Sequence, residues 1–416
     1  MAGFVCARRR FLAASVGWGS LASLARGSFR ATARRPDRDE DWSDLRAAWL
    51  DSGAVVNLEN GGVQASPRVV DEVFHREWES AQRLPALRLG RDFPAALDAV
   101  RSRLAAEVGC GPDEIALVRN TTEGVHNLLQ GWRLDRGDRV LTTTQDYWRF
   151  HDGLAQRAVR DGIGVDAIRL PVPLERPADV VRLFTEAVGP RTRVVLLCHV
   201  VNLTGQILPV AAIAAALRPR GVAVIVDGAH GFGHLTDRVA DLGCDAYVTS
   251  LHKWIGAPHG TGFLHLRRER IERVWPLFPS PASHRGDIRK FESLGTVASA
   301  PFLGIPPALD FWREVGPSVK LARLRWLRDR WLRPAGQLPG SAVLTRTEGE
   351  GAGALATISF PGRDVRRMAD ELLHREDILV RPIIHAEFSG LRVTPNLFNS
   401  AADLDRLTAA LGRMLG

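Results

Sequence analysis

The sequence predicts an α/β protein: a large domain built on a mostly parallel sheet, followed by a smaller α+β domain. Three observations carry this. Seven short runs rich in β-branched and aliphatic residues recur between residues 115 and 266. Most are separated by stretches of helical period such as VHNLLQGW and VAAIAAALRPRG. Near-continuous apolar strands joined by helices belong to parallel sheets buried on both faces. Beyond about residue 310 the pattern changes to a long helix and then a mixture of short strands and helices. A chain of 416 residues with 45% hydrophobic content has the length for two such units.

In chain order, residues 1–33 stand apart. Arg8, Arg9 and Arg10 precede Phe11 and Leu12, a moderately apolar run follows to Ala25, and the first acidic residue is Asp37. This is the layout of a cleaved signal peptide, and RRRFL resembles the twin-arginine export motif. It predicts export to the periplasm through the twin-arginine machinery, with cleavage after Ala25 or Ala33. The alternatives are an Arg-rich transit peptide or an unstructured arm, and without export the expected location is cytoplasmic. The run is too short and too rich in Gly and Ser to span a membrane.

Residues 40–110 read as mainly helical, broken by NLENGGVQASP at 57–67. The strand runs are IALV (115–118), RVLT (139–142), VDAIRL (165–170), RVVLLCHV (193–200), VAVIVD (222–227), DAYVTS (245–250) and TGFLHL (261–266). A helix predicted over roughly 313–335 leads to ALATISF, a helix after Arg363, ILVRPI, LRVT and a closing helix. The expected division is 40–310 for the N-terminal segment with the large domain and 311–416 for the small one.

Composition removes several function classes. The net charge is +8, yet the arginines are dispersed among acids with no basic block interleaved with aromatics, which argues against nucleic acid. Cys6, Cys110, Cys198 and Cys244 show no CxxC pairing, and no HExxH is present, so neither a metal site nor a disulfide framework is expected.

Of 55 basic residues only Lys253, Lys290 and Lys320 are lysine. Arginine supplies charge as well as lysine, but only lysine readily loses its proton to become a nucleophile. Lys290 and Lys320 sit among charged neighbours and read as unremarkable survivors of the bias. Lys253 follows the strand run DAYVTS and precedes a Gly-rich turn, a position where α/β proteins build their sites. Asp227 ends VAVIVD, so its carboxylate projects past the strand; it either caps the GAHG turn or meets a ligand. Asn120-Thr121-Thr122-Glu123-Gly124 lies between a strand and a helix. Its free N–H groups suit a phosphate, while Asn120 and Glu123 equally have the spacing of a capping box. A dinucleotide fold would need GxGxxG at the first strand-to-helix turn, and none is present. Lysine, acid and phosphate cup are the three requirements of pyridoxal phosphate.

In this order the motifs RNTTEG, TTTQDYW, HVVNLTGQ, VDGAH, SLHKW, GTGFL and FSGLRVTPN resemble the class V aminotransferase-like group of fold-type I pyridoxal phosphate enzymes, which includes cysteine desulfurases and isopenicillin N epimerases. The likeness runs from about residue 55 to 412, and Asp227 and Lys253 stand 26 residues apart. The resemblance implies pyridoxal 5'-phosphate bound to Lys253 as a Schiff base, with Asp227 on the pyridine nitrogen. Asn202 and His230 would lie near the phenolic oxygen, and Thr121, Thr122, Ser250 and His252 around the phosphate. Gly295 and Thr296 would serve the phosphate of a neighbouring subunit, which implies a homodimer. Arg392 would grip the substrate carboxylate and Asn60 would line the substrate pocket. Tyr147 would stack on the ring, with Asp146 and Trp148 as alternatives.

One departure narrows the reading. Desulfurases carry a mobile cysteine before the small-domain arginine; here that stretch is RPIIHAEFSGLR, and no cysteine follows Cys244. The expected enzyme acts on an α-amino acid or a derivative, with Lys253 as general base on the α-hydrogen. Transamination and epimerisation are favoured, the latter needing a second acid such as Tyr147 or His385. A C–S or β-lyase is the alternative, and a non-catalytic cofactor sensor a further one.

Overall fold

The computed structural model describes residues 34–50, 52–349 and 351–416, so the predicted leader at 1–33 lies outside the described residues. All seven strand runs form one sheet: β1 (Ile115–Val118), β2 (Arg139–Thr143), β3 (Gly164–Ile168), β4 (Thr192–Cys198), β5 (Ala223–Asp227), β6 (Ala246–Ser250) and β7 (Gly262–Leu266). Their spatial order is β1-β7-β6-β5-β4-β2-β3. Strand β7 runs antiparallel to both its neighbours, and the other pairings are parallel. Chain connectivity explains the exception. β7 follows β6 after the loop 251–261, which holds no crossover helix and returns the chain antiparallel.

The sheet is buried on both faces, and the strands show it residue by residue. Val195, Leu197, Val224 and Val226 fall in one apolar cluster, while Val194, Leu196, Ala223 and Ile225 fall in another. Alternate side chains point to opposite faces, so the two clusters are the two sides of the sheet. The unbroken apolar runs are the sequence record of that double burial.

A second, antiparallel sheet follows: β8 (Ala342–Val343), β9 (Ala356–Ser359), β10 (Arg381–Ile384) and β11 (Ser389–Val393), in the order β10-β11-β9-β8. The helices Pro317–Ala335, Val365–Glu376 and Ala401–Leu415 pack on it through Trp331, Leu372 and Leu407. The expected long helix over 313–335 is instead two, Ile305–Val315 and Pro317–Ala335. Gly316 between them takes φ 86°, ψ 121°, and Pro317 then starts the second helix without needing an N–H partner.

The segment after the N-terminal helices ties the two sheets together. Val56–Asn57 pairs with Ile378–Leu379, Glu59 bridges to Thr394, and the chain then enters the helix Arg68–Arg83. Cys198 and Cys244 are buried and Cys110 half-buried, all as free thiols. Among the described residues no helix is long and apolar enough to cross a membrane.

Candidate active site

The carboxyl ends of β5 and β6 and the start of the helix Thr121–Gly131 gather the predicted residues. Lys253 sits in the turn that leaves β6. Gly256 N closes that turn on Lys253 O at 3.2 Å, and Gly256 has φ +73°, a conformation costly for other residues. Lys253 Nζ lies 3.2 Å from His230 Nε2. On the other side of the imidazole, Trp254 Nε1 donates to His230 Nδ1 at 3.3 Å. Indole nitrogen only donates, so Nδ1 accepts and the proton of a neutral imidazole sits on Nε2. Burial, then Lys253 and Arg392, hold His230 well below the usual imidazole range, which keeps it neutral. An Nε2–H facing Lys253 is best met by a neutral amine. In accord with this, burial pulls Lys253 down to about 8, against the opposing attraction of Asp227.

The turn carrying Lys253 is braced from below. The His234 ring stacks on Trp254 at 3.6 Å between centroids, its Nε2 accepts from Ala354 N at 2.7 Å, and its Nδ1 donates to His230 O at 2.8 Å. Lys320 Nζ donates to Trp254 O. Lys320 is 4% exposed, and burial pulls it down to about 7. Lys290 is equally buried, donating to Ile271 O and Arg285 O, with burial lowering it to about 8. Their charged sequence neighbours gave no sign of this burial. Each amino group donates to backbone carbonyls in a closed space.

Asp227 Oδ1 accepts from Ala229 N at 2.9 Å, so the capping reading holds for that oxygen. Burial raises the carboxyl to about 6, with the Ala229 bond and Lys253 pulling the other way. A buried carboxylate raised this far is stabilised by an added cation.

At the helix start the capping reading of Asn120–Gly124 holds. Asn120 Oδ1 accepts from Glu123 N at 2.8 Å and caps the helix. Glu123 Oε2 accepts from Arg119 N rather than from Asn120, so the box is shifted by one residue. Beside the cap, Ser250 Oγ joins Thr121 N at 2.9 Å and Thr121 Oγ1 at 2.8 Å, linking the end of β6 to the helix dipole. Thr122 lies in the same first turn. His252 Nδ1 is buried with no hydrogen-bond partner, and burial lowers that ring to about 4.

Arg392 on β11 is buried, and its Nη1 donates to Asn202 O at 2.9 Å. Its Nη2 donates to both oxygens of Glu59, at 2.6 and 2.8 Å. Asn60, expected on the pocket wall, is 1% exposed, and its amide donates inward to Asn57 O and Thr394 O. It fixes the turn from beneath, and its neighbour Glu59 is the residue that turns to the arginine.

The three candidates for the ring-stacking position separate. Asp146 spends both oxygens on structure: Oδ2 accepts from Thr142 Oγ1 and Thr143 N, and Oδ1 from Cys198 N and Sγ. Trp148 is exposed beneath the Arg149 guanidinium. Tyr147 is half-buried and packs edge-on against Phe150 at 5.4 Å. His385 has both nitrogens engaged by backbone, Nε2 with Thr144 O at 3.0 Å and Nδ1 accepting from Glu387 N at 3.3 Å. Gly295 and Thr296 are exposed on a loop outside this cluster of the chain.

Sequence reasoning missed Glu59, Trp254, His234 and Lys320. Glu59 and Trp254 stand next to residues it chose and His234 lies four residues after His230, whereas Lys320 arrives from a distant segment. It also missed that Cys110, Glu114 and His265 bring ligand atoms within 4.8 Å of one another, a group that could hold a metal ion.

The aminotransferase class-V family model matches residues 55–394. The isopenicillin N epimerase of Streptomyces clavuligerus is 32% identical over 393 residues, covering 90% of this chain and 99% of its own. A probable cysteine desulfurase of Pseudomonas aeruginosa is 30% identical over 80% of this chain and 86% of its own. Among solved structures, a C-DES variant with glycine covalently linked to its pyridoxal phosphate cofactor superposes with a TM-score of 0.79. It covers 88% of this chain and 98% of its own at 22% identity.

Proposed function

The chain belongs to the aminotransferase class-V family of pyridoxal 5'-phosphate-dependent enzymes, and from that premise we propose that it acts on an α-amino acid or derivative, with Lys253 as cofactor lysine and proton carrier. The observation that carries this is the neutral-amine environment of Lys253, set by His230 and Trp254 at the strand end that also holds Asp227.

The residues fit the cofactor. Asp227, raised by burial, would hold the pyridinium N–H of the cofactor as its missing cation. The unpartnered His252 Nδ1, with Thr121, Thr122 and Ser250 at the helix start, suits a phosphate. Asn202 and His230 are the candidates for the phenolic oxygen, and Tyr147 for the ring face. The exposed Gly295–Thr296 loop is free to serve a second subunit, which supports a homodimer. When bound, the cofactor draws electrons away from the α-carbon of the amino acid attached to it.

Lys253 Nζ accepts the α-proton, which requires its lone pair, and a value near 8 leaves a substantial neutral fraction at mildly alkaline pH. His230 stays neutral and holds Lys253 in place. Arg392 receives the substrate carboxylate, with a fork geometry suited to two parallel bonds. Where Lys253 returns the proton, or whether another acid does so, decides between transamination and epimerisation. The full-length likeness to an isopenicillin N epimerase supports these two outcomes first. An enzyme-bound persulfide of the desulfurase kind has no small-domain cysteine to carry it, since none follows Cys244. Elimination is the second reading, supported by the likeness to a putative L-cysteine desulfhydrase of Oryza sativa, 27% identical over 74% of this chain.

The test is incubation of the cofactor-loaded protein with D- and L-amino acids and 2-oxo acids in deuterated water. Inverted, α-deuterated product supports epimerisation, and amino-group exchange supports transamination. Ammonia with pyruvate would move the assignment to elimination. No exchange or product with any substrate would overturn the proposal.

A further inference from the structure

The arginine assigned to the substrate carboxylate already holds one. Both oxygens of Glu59 lie on Arg392 Nη2, while Nη1 is on Asn202 O and Nε is buried with no partner. The turn that delivers Glu59 is shaped for this contact. A Cβ at Gly61 would stand 3.3 Å from Arg392 Nη2, and one at Gly62 would stand 2.9 Å from Glu59 Oε1. Two glycines therefore let the backbone press against the ion pair.

A second cation waits beside it. Arg381 on β10 lies directly across from Arg392 on β11 in the antiparallel register. Arg381 Nη1 is 3.7 Å from Glu59 Oε1, and its side chain is 56% exposed. With Glu59 on Arg392, that pair is neutral. A substrate carboxylate entering the same fork would set two anions on one guanidinium, which like-charge repulsion opposes. Moving the Glu59 carboxylate to Arg381 leaves two carboxylates on two guanidiniums, and the distance is within reach of a side-chain rotation.

We propose that Glu59 is an internal stand-in for the substrate carboxylate, held on Arg392 until a substrate displaces it onto Arg381. This rests on the reading of Arg392 as the carboxylate grip, and it names the substrate class more closely. A molecule with a free α-carboxylate opens the grip by competing with Glu59. An amine without a carboxylate leaves Glu59 in place and meets a closed, neutral wall. Glu59 sets specificity by competition, and Arg381 is a positioning residue that acts through it.

The experiment is calorimetric titration of the cofactor-loaded enzyme with propionate, a carboxylate that has no amino group and cannot react. Cofactor absorbance confirms that each variant is folded and loaded. Glu59→Gln keeps the shape and removes the competing charge, and should tighten propionate binding about tenfold. Arg381→Gln should weaken it by a similar factor, because displaced Glu59 then has no second partner. In the Glu59→Gln background the Arg381→Gln effect should vanish. Unchanged or weaker binding by Glu59→Gln, or an Arg381 effect that persists in the double variant, overturns the proposal. Arg392→Ala separates the two levels. If it leaves propionate binding unchanged, the carboxylate grip itself is wrong; if it abolishes binding while Glu59→Gln is silent, only the stand-in fails.

Discussion

Trp254 Nε1 donates to His230 Nδ1, and through that single bond an indole decides which imidazole nitrogen faces Lys253. Because the bond puts the ring proton on Nε2, a protonated Lys253 would meet donor against donor. Burial, and after it the Arg392 cation, pull the lysine to about 8, and the donor facing it from His230 opposes its charged form in the same direction. Below that value the amine is charged and cannot take a proton; above it the lone pair is free. The rate of the proton-transfer step in the loaded enzyme, or of cofactor uptake by the cofactor-free protein, should rise with pH through a midpoint near 8. Trp254→Phe removes the donor and frees the imidazole to turn its lone pair toward Lys253. The midpoint should then move up toward the ordinary lysine value, with turnover at pH 7.5 reduced about tenfold. A pH profile unmoved in Trp254→Phe would mean that burial alone sets the lysine.

Lys253→Arg keeps the positive charge and loses the nucleophile. Turnover should disappear, and borohydride treatment, which reduces the link between lysine and cofactor, should label nothing. In the unaltered protein the label should map to the peptide holding Lys253. Lys290 and Lys320 make this a sharper test than it first appears, since burial lowers both of them as well, to about 8 and about 7. A label on either peptide would dismiss the assignment.

Much of this was legible because the chemistry sits at strand ends. The runs ending at Asp227 and Ser250 announce both the sheet and the edge where ligands meet it, and double burial leaves an unbroken apolar run in the sequence. Lys253 was legible for a different reason, as a lysine in a chain that almost always writes arginine. At Lys290 and Lys320 the same signal was set aside because of their charged sequence neighbours. Lys320 is followed on the same helix face by Arg323, which is itself buried, and burial is invisible in a local window. Glu59 was missed because its partner lies 333 residues away in sequence. The antiparallel direction of β7, which follows from the helix-free loop before it, was not read either. Gly316 was overlooked inside a helical period, although Gly followed by Pro is a helix boundary signal.

Lys320 gives a stability test with a defined sign. Its ammonium donates to Trp254 O, yet burial lowers it from 10.5 to about 7. Between those two values the unfolded chain holds a proton that the folded one has released. The unaltered protein therefore gains stability as pH rises through that window, and carries the full penalty below about 7. Lys320→Met removes both the penalty and the bond to the carbonyl. The variant should lack this gain, so its deficit relative to the unaltered protein should widen from pH 7 to pH 10. At pH 9 the orphaned carbonyl alone should cost about 1–3 kcal/mol. Urea unfolding at pH 6, 7.5 and 9 measures it, and a pH-independent difference would contradict a neutral Lys320 in the fold.

Export is the last prediction, and it joins the leader to the chemistry. Ordinary secretion threads an unfolded chain, which cannot retain a cofactor seated between β5, β6 and a helix start. The twin-arginine route moves folded protein, so an exported enzyme with cytoplasmic pyridoxal phosphate has a physical reason to use it. Arg8, Arg9, Arg10, Phe11 and Leu12 supply the signal proposed for that route. Arg8→Lys with Arg9→Lys keeps the charge of the leader and should strand an active, cofactor-loaded enzyme in the cytoplasm. The unaltered chain should appear in the periplasm, shortened after Ala25 or Ala33, with its cofactor already attached. Mass spectrometry of the two fractions distinguishes the outcomes. An intact N-terminus on protein confined to the cytoplasm would end the export proposal and leave the assignment of Lys253 standing.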